Sequence, residues 1–93
     1  MKIKVLKRTE NELKIEVEGA GHTLCNLLQK KLLENENVDV AGYDIPHPLT
    51  SNPIIYVRTK SPLKPEDALL DAVERAKEMN KEFGEALKRL LQA

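Results

Sequence analysis

The chain is predicted to be an α+β domain in which two strands, a helix, two more strands and a long C-terminal helix follow in the order ββαββα around a four-stranded, mainly antiparallel sheet. Three observations carry that prediction. Apolar residues alternate with charged ones along the first eighteen residues; they recur at helical spacing in two later stretches; and Gly19, Gly21 and the five prolines fall at the ends of these runs or between them.

Met1 to Arg8 sets Ile3 and Val5 against Lys2 and Lys4, the period-two pattern of a half-buried strand. After a turn near Thr9-Glu10-Asn11, Leu13, Ile15 and Val17 alternate with Glu12, Lys14, Glu16 and Glu18, so the second strand returns with one dry face and one wet one. Gly19 to Gly21 end it. A helix is expected to start at His22 or Thr23, where a hydroxyl can accept from the free N–H groups of the first turn, and to run to about Asn35 with Leu24, Leu27, Leu28 and Leu32 on one face. Val38 to Ile45 and Ile54 to Thr59 read as the third and fourth strands. Pro46, Pro48 and Pro53 between them favour an extended connection over a tight hairpin.

Pro65 with Glu66 and Asp67 suits a helix N-terminus, because proline lacks the N–H that would be unpaired there and the acidic groups meet the positive end of the helix. The stripe Leu69, Ala72, Val73, Ala76, Met79, Phe83, Ala86, Leu87, Leu90 then keeps one face to the end, with Asp71/Arg75 and Glu85/Arg89 as i,i+4 pairs. From Pro65 to Gln92 is 28 residues, about 42 Å if unbroken, whereas a compact chain of this length has a diameter near ~32 Å. Phe83, Leu87, Leu90 and Leu91 are therefore expected to overhang their own domain, each forgoing roughly 1.5–3 kcal/mol if left in water, and to be buried against another chain. The competing expectation is a break at Gly84 that folds the end back.

Composition narrows the function. With 93 residues there is room for one domain, and Lys plus Arg equals Asp plus Glu, so no global field draws the chain to nucleic acid or to an anionic membrane. No apolar run nears the roughly 20 residues that span a bilayer. A single cysteine cannot form an internal disulfide and suits a reducing compartment, the cytoplasm. Cys25 with His22 or His47 as base would be a small thiol enzyme, and His22, Cys25 and His47 could supply three metal ligands. One cysteine and two histidines fall short of a closed four-ligand zinc site, and Cys25 beside an apolar stripe reads as a packing residue. Lys7-Arg8 and Lys30-Lys31 are the only support for a nucleic-acid-binding module and read as a solvated face.

Gly21-His22-Thr23-Leu24-Cys25-Asn26-Leu27-Leu28 at the first helix and Ile45-Pro46-His47-Pro48-Leu49 at the end of the third strand, with the element order and size, resemble the small alpha-like subunits of cellular RNA polymerase. That family comprises archaeal subunit L and its eukaryotic counterpart, and is related more distantly to the dimerising domain of bacterial alpha. Two positions depart from the family pattern, Gly21 where many relatives are acidic and Gln29 near a frequent arginine.

The resemblance implies a subunit without a catalytic centre, cofactor or metal of its own. It implies a heterodimer with a larger alpha-like subunit, D in archaea, on which the large catalytic subunits assemble for transcription. Leu24, Leu27, Leu28 and Leu32 with Phe83, Leu87 and Leu90 would line the shared core; His22, Thr23, Asn26, Pro46, His47 and Pro48 would form a polar corner toward a large subunit. On this reading Leu87→Asp abolishes pairing, by placing an unpaired charge in a buried seam, and Cys25→Ala leaves it intact.

Overall fold

The computed structural model describes residues 2–19, 21–45, 52–76 and 81–92, the side chains of residues 81–83 excepted. In chain order these form β1 (Lys2–Arg8), β2 (Glu12–Glu18), α1 (His22–Leu33), β3 (Val38–Asp44), β4 (Ile54–Thr59), α2 (Pro65–Arg75) and α3 (Lys81–Gln92). The strands make one antiparallel sheet in the order β1-β2-β4-β3.

Alternation explains the layering. Leu13, Ile15 and Val17 of β2 and Ile55, Val57 and Thr59 of β4 are buried, and the helices close over that face. The opposite face carries Glu12, Lys14 and Glu16 paired in register with Arg58, Tyr56 and Ile54, and Lys2 and Lys4 opposite Glu18 and Glu16. Most cross-strand charges there are opposite in sign, Lys7 opposite Lys14 excepted, which suits a face in water. The β1–β2 turn is pinned by Thr9, whose N–H donates to the Glu12 carbonyl at 2.8 Å and whose Oγ1 accepts from the Glu12 N–H at 3.0 Å. Asn11 ties the turn to the far end of β4: Thr59 N–H donates to its carbonyl at 2.9 Å and its Nδ2 donates to the Thr59 carbonyl at 3.1 Å.

The C-terminal half corrects two expectations. The single helix over 65–92 is instead two, with α2 ending at Arg75 and α3 beginning at Lys81, and the break precedes Gly84 rather than falling on it. Nor does the distal stripe overhang: α3 lies back against α2 and β1, Leu87 is wholly buried and Leu91 is 8% exposed, both in the chain's own core. The physical reason is a competition between local and tertiary terms. A continuous helix gains a few backbone hydrogen bonds worth about 0.5–1.5 kcal/mol each net, while folding back buries two leucines at roughly 1.5–3 kcal/mol apiece and keeps the longest dimension to 37 Å. Gly84 has a different task from breaking the helix. It sits in the buried face of α3, where a Cβ would stand 3.0 Å from Val73 Cγ1 of α2, so its missing side chain sets how closely the two helices approach.

Candidate partner interface

α1 carries most of the residues singled out by the sequence. Its N-cap is Gly21 in an extended conformation, with no side-chain capping bond, so Thr23 lies inside the first turn and does not cap it. Its last turn carries Lys30 and Lys31, which complement the negative end of the helix, and it ends at Leu33, two residues short of Asn35. Leu24, Leu28 and Leu32 point into the domain's own core, at 9%, 1% and 1% exposure. Leu27 is half-buried on the flank, where it lines a shallow groove of about 250 Å³ with Thr23, Asn26 and Lys30. Leu33, which falls off the periodic stripe, is 52% exposed.

Of the C-terminal residues, Leu87 is buried and Leu90 is 39% exposed, bordering a second open groove with Ile3, Ala86 and Arg89. The Phe83 side chain, and Pro46, His47 and Pro48, lie outside the described residues. The described members of both stripes lie on the apolar side of their helices or on its flank, and periodicity did not tell which of them reach the surface. In a two-layer domain the centre of a helix stripe is consumed by the sheet beneath, and among the described residues flank positions such as Leu27, Leu33 and Leu90 keep part of their surface in water.

The polar corner is partly assembled. His22 is exposed, with Nδ1 3.3 Å from Tyr43 Oη of β3 and the two rings edge to face at a centroid distance of 5.8 Å. Thr23 and Asn26 are exposed beside it. Tyr43 was not singled out from the sequence; its place on the helix-covered side of β3, opposite Ile55, depends on the register shift between Val38 and Val40, which moves it from the face that alternation alone would give it. A second tie joins the helix ends: Arg75 donates from Nη1 to Glu34 Oε1 at 2.7 Å, from Nε to Asp71 Oδ2 at 3.1 Å, and from Nη2 to the Lys31 carbonyl at 2.7 Å. The Asp71 pair is the i,i+4 pair read from the sequence, and the reach to α1 was visible only in three dimensions.

Among the described residues, nothing in this arrangement activates Cys25 as a nucleophile. Cys25 is buried at 1% exposure and burial pushes its thiol pKa up, opposite to what an attacking thiolate needs, while His22 is turned to Tyr43. Among the described residues no three His, Cys, Asp or Glu side chains come together as metal ligands, and no helix is long and apolar enough to cross a membrane.

Comparison with known proteins agrees with the geometry. Residues 12–86 match the RNA polymerase Rpb3/Rpb11 dimerisation domain. The chain is 46% identical over 83 residues to DNA-directed RNA polymerase subunit Rpo11 of Methanothrix thermoacetophila, covering 89% of this chain and 90% of that one. It is 40% identical over 90 residues to the Saccharolobus shibatae subunit of the same name, covering 97% and 98%. The crystal structure of DNA-directed RNA polymerase subunit L from Thermoplasma acidophilum superposes with a TM-score of 0.73 at 32% identity, over 98% of this chain and 89% of that one. With its sheet, helical layer and nearly full-length matches in accord, the chain belongs to the RNA polymerase Rpb3/Rpb11 dimerisation domain family.

Proposed function

We propose that this chain is the small alpha-like subunit of a DNA-dependent RNA polymerase, without chemistry of its own. It pairs with a larger alpha-like subunit, D in archaea, to form the platform on which the large catalytic subunits assemble in the cytoplasm. The observation that supports this most is the match to a dimerisation domain over residues 12–86 in a chain whose helical layer leaves large leucines in water, Leu33 at 52% and Leu90 at 39%. Leu27, Leu33 and Leu90 face outward in this reading and Leu24, Leu28, Leu32 and Leu87 support them from beneath. His22, Thr23 and Asn26 form the polar corner held by Tyr43, with Pro46, His47 and Pro48 as its further members. Neither nucleic acid nor membrane is contacted directly.

Leu87→Asp does not discriminate on its own, because Leu87 belongs to the domain's own core and an unpaired charge there would unfold it. Leu33→Asp and Leu27→Asp, on the outer flank of α1, are the informative variants, with Leu6→Asp, 41% exposed on β1, as the control. On co-expression with the larger alpha-like subunit, the α1 variants should lose co-elution and the Leu6 variant should keep it. Retained co-elution of both α1 variants would move the seam off α1. Failure of the unaltered chain to co-elute would refute the pairing itself.

A further inference from the structure

The last turn of α1 is completed by another helix. The final four carbonyls of a helix lack the N–H groups that the next turn would bring, and two of them are met locally: Lys30 accepts from the Glu34 N–H at 3.2 Å and Leu32 from the Asn35 N–H at 3.1 Å. The Lys31 carbonyl is passed over, since the Asn35 N–H that would reach it serves Leu32. It accepts instead from Arg75 Nη2 of α2 at 2.7 Å. The guanidinium is itself fixed, with Nη1 on Glu34 Oε1 at 2.7 Å and Nε on Asp71 Oδ2 at 3.1 Å, so every one of its nitrogens is engaged and the planar fork has one orientation. Leu33 belongs to this turn and is 52% exposed. Residues two apart lie about 200° apart around a helix axis, which puts Lys31 and its arginine on one side of α1 and Leu33 on the other. Arg75 therefore bears on Leu33 through the backbone and not by covering it. Leu32, 1% exposed, anchors the turn at one point, and a turn pinned by one side chain is free to unwind beyond it. Leu27 needs no such help, because Leu24 and Leu28 on either side of it are buried at 9% and 1% exposure.

We infer that Arg75 is a positioning residue for pairing: it caps α1 from a neighbouring helix and holds the last turn, and Leu33 with it, in the shape that the larger alpha-like subunit receives. This rests on the α1 seam proposed above. The exposed ion pairs with Glu34 and Asp71 contribute little alone and serve to aim the fork. What matters is the bond to a backbone carbonyl that has no other donor among the described residues.

Two measurements on the full chain test it. In amide hydrogen exchange, Arg75→Gln should speed Leu33, Glu34 and Asn35 at least about fivefold and leave the core amides of Leu28 and Ile15 unchanged. In titrations with the larger alpha-like subunit, the same variant should weaken binding at least about fivefold. A merely structural role would lower affinity whichever leucine is present. An arginine that places Leu33 should instead lose its effect in a Leu33→Ala background and keep it in a Leu27→Ala background. Arg75→Lys, which retains the charge without the fork, should not restore binding. Unchanged exchange in the last turn, equal acceleration at Leu28 and Ile15, full binding by Arg75→Lys, or the same loss in both leucine backgrounds would overturn the proposal. If the unaltered chain does not bind the larger subunit, the pairing is what has failed, and faster exchange confined to the last turn still upholds Arg75 as the cap of α1.

Discussion

Replacing Gly84 by alanine separates the two arrangements of the C-terminal half by the sign of its effect. In a solvated helix interior the change stabilises by about 1 kcal/mol, the propensity difference between the two residues. Here the new methyl would stand 3.0 Å from Val73 Cγ1, closer than packed carbons tolerate, and Val73 cannot rotate away because a β-branched side chain in a helix is held in one rotamer. The helices must part by a few tenths of an ångström, and overpacking of this kind costs about 1–3 kcal/mol. The net expectation is a loss of about 1 kcal/mol, within a range from neutrality to 2.

Val73→Ala removes the obstructing methyls, so in that background Gly84→Ala should recover most of its propensity gain. The cycle then has a coupling energy of about 1–2 kcal/mol, well above the few tenths shown by independent sites. Urea denaturation of the four proteins followed by circular dichroism measures it directly. Stabilisation by about 1 kcal/mol in both backgrounds, with no coupling, would mean that α3 does not rest on Val73 and would remove the basis of the fold-back.

Other outcomes follow from single contacts. Glu66 Oε2 accepts from Arg8 Nε at 2.8 Å, joining α2 to β1. Burial raises the pKa of this carboxyl, but its own backbone N–H at the helix N-terminus and Arg8 outweigh burial and hold it below the ordinary value. A carboxyl lowered in the folded state contributes stability that is complete above its unfolded pKa and is lost as pH falls through the folded one. Glu66→Gln should therefore lower stability at neutral pH and flatten the acid limb below about pH 4.5; an acid limb as steep as that of the unaltered chain would refute the contribution. Cys25, buried and with its thiol pKa raised, should react with iodoacetamide at pH 7.5 at least about a hundredfold more slowly in the folded chain than in urea, since alkylation must wait for opening. Cys25→Ala should retain pairing, and rapid native alkylation would reopen a chemical role for the thiol.

Much of the fold was legible because local patterns and tertiary contacts agree there. Alternation in Leu13-Ile15-Val17 yields a strand with one dry face whatever the helices do, and the interruption at Gly19 and the signal at Pro65 mark element ends by backbone chemistry alone. The candidate interface was legible only as stripes. Leu24, Leu27 and Leu28 have the same periodic claim to a buried face, and what divides them is the sheet under α1, which exists only once β2, β4 and β3 have paired across distant segments.

The sequence by itself determined the four strands, the first helix, the neutral charge balance and the family, since each rests on residues near in the chain or on residue identities. Tertiary structure decided whether residues 65–92 form one helix or two, which leucines stay wet, and that Gly84 serves a close helix contact. Those outcomes turn on a difference of a few kcal/mol between local hydrogen bonding and the burial of Leu87 and Leu91, and the surface that buries them belongs to β1 and α2, brought together only by the finished fold.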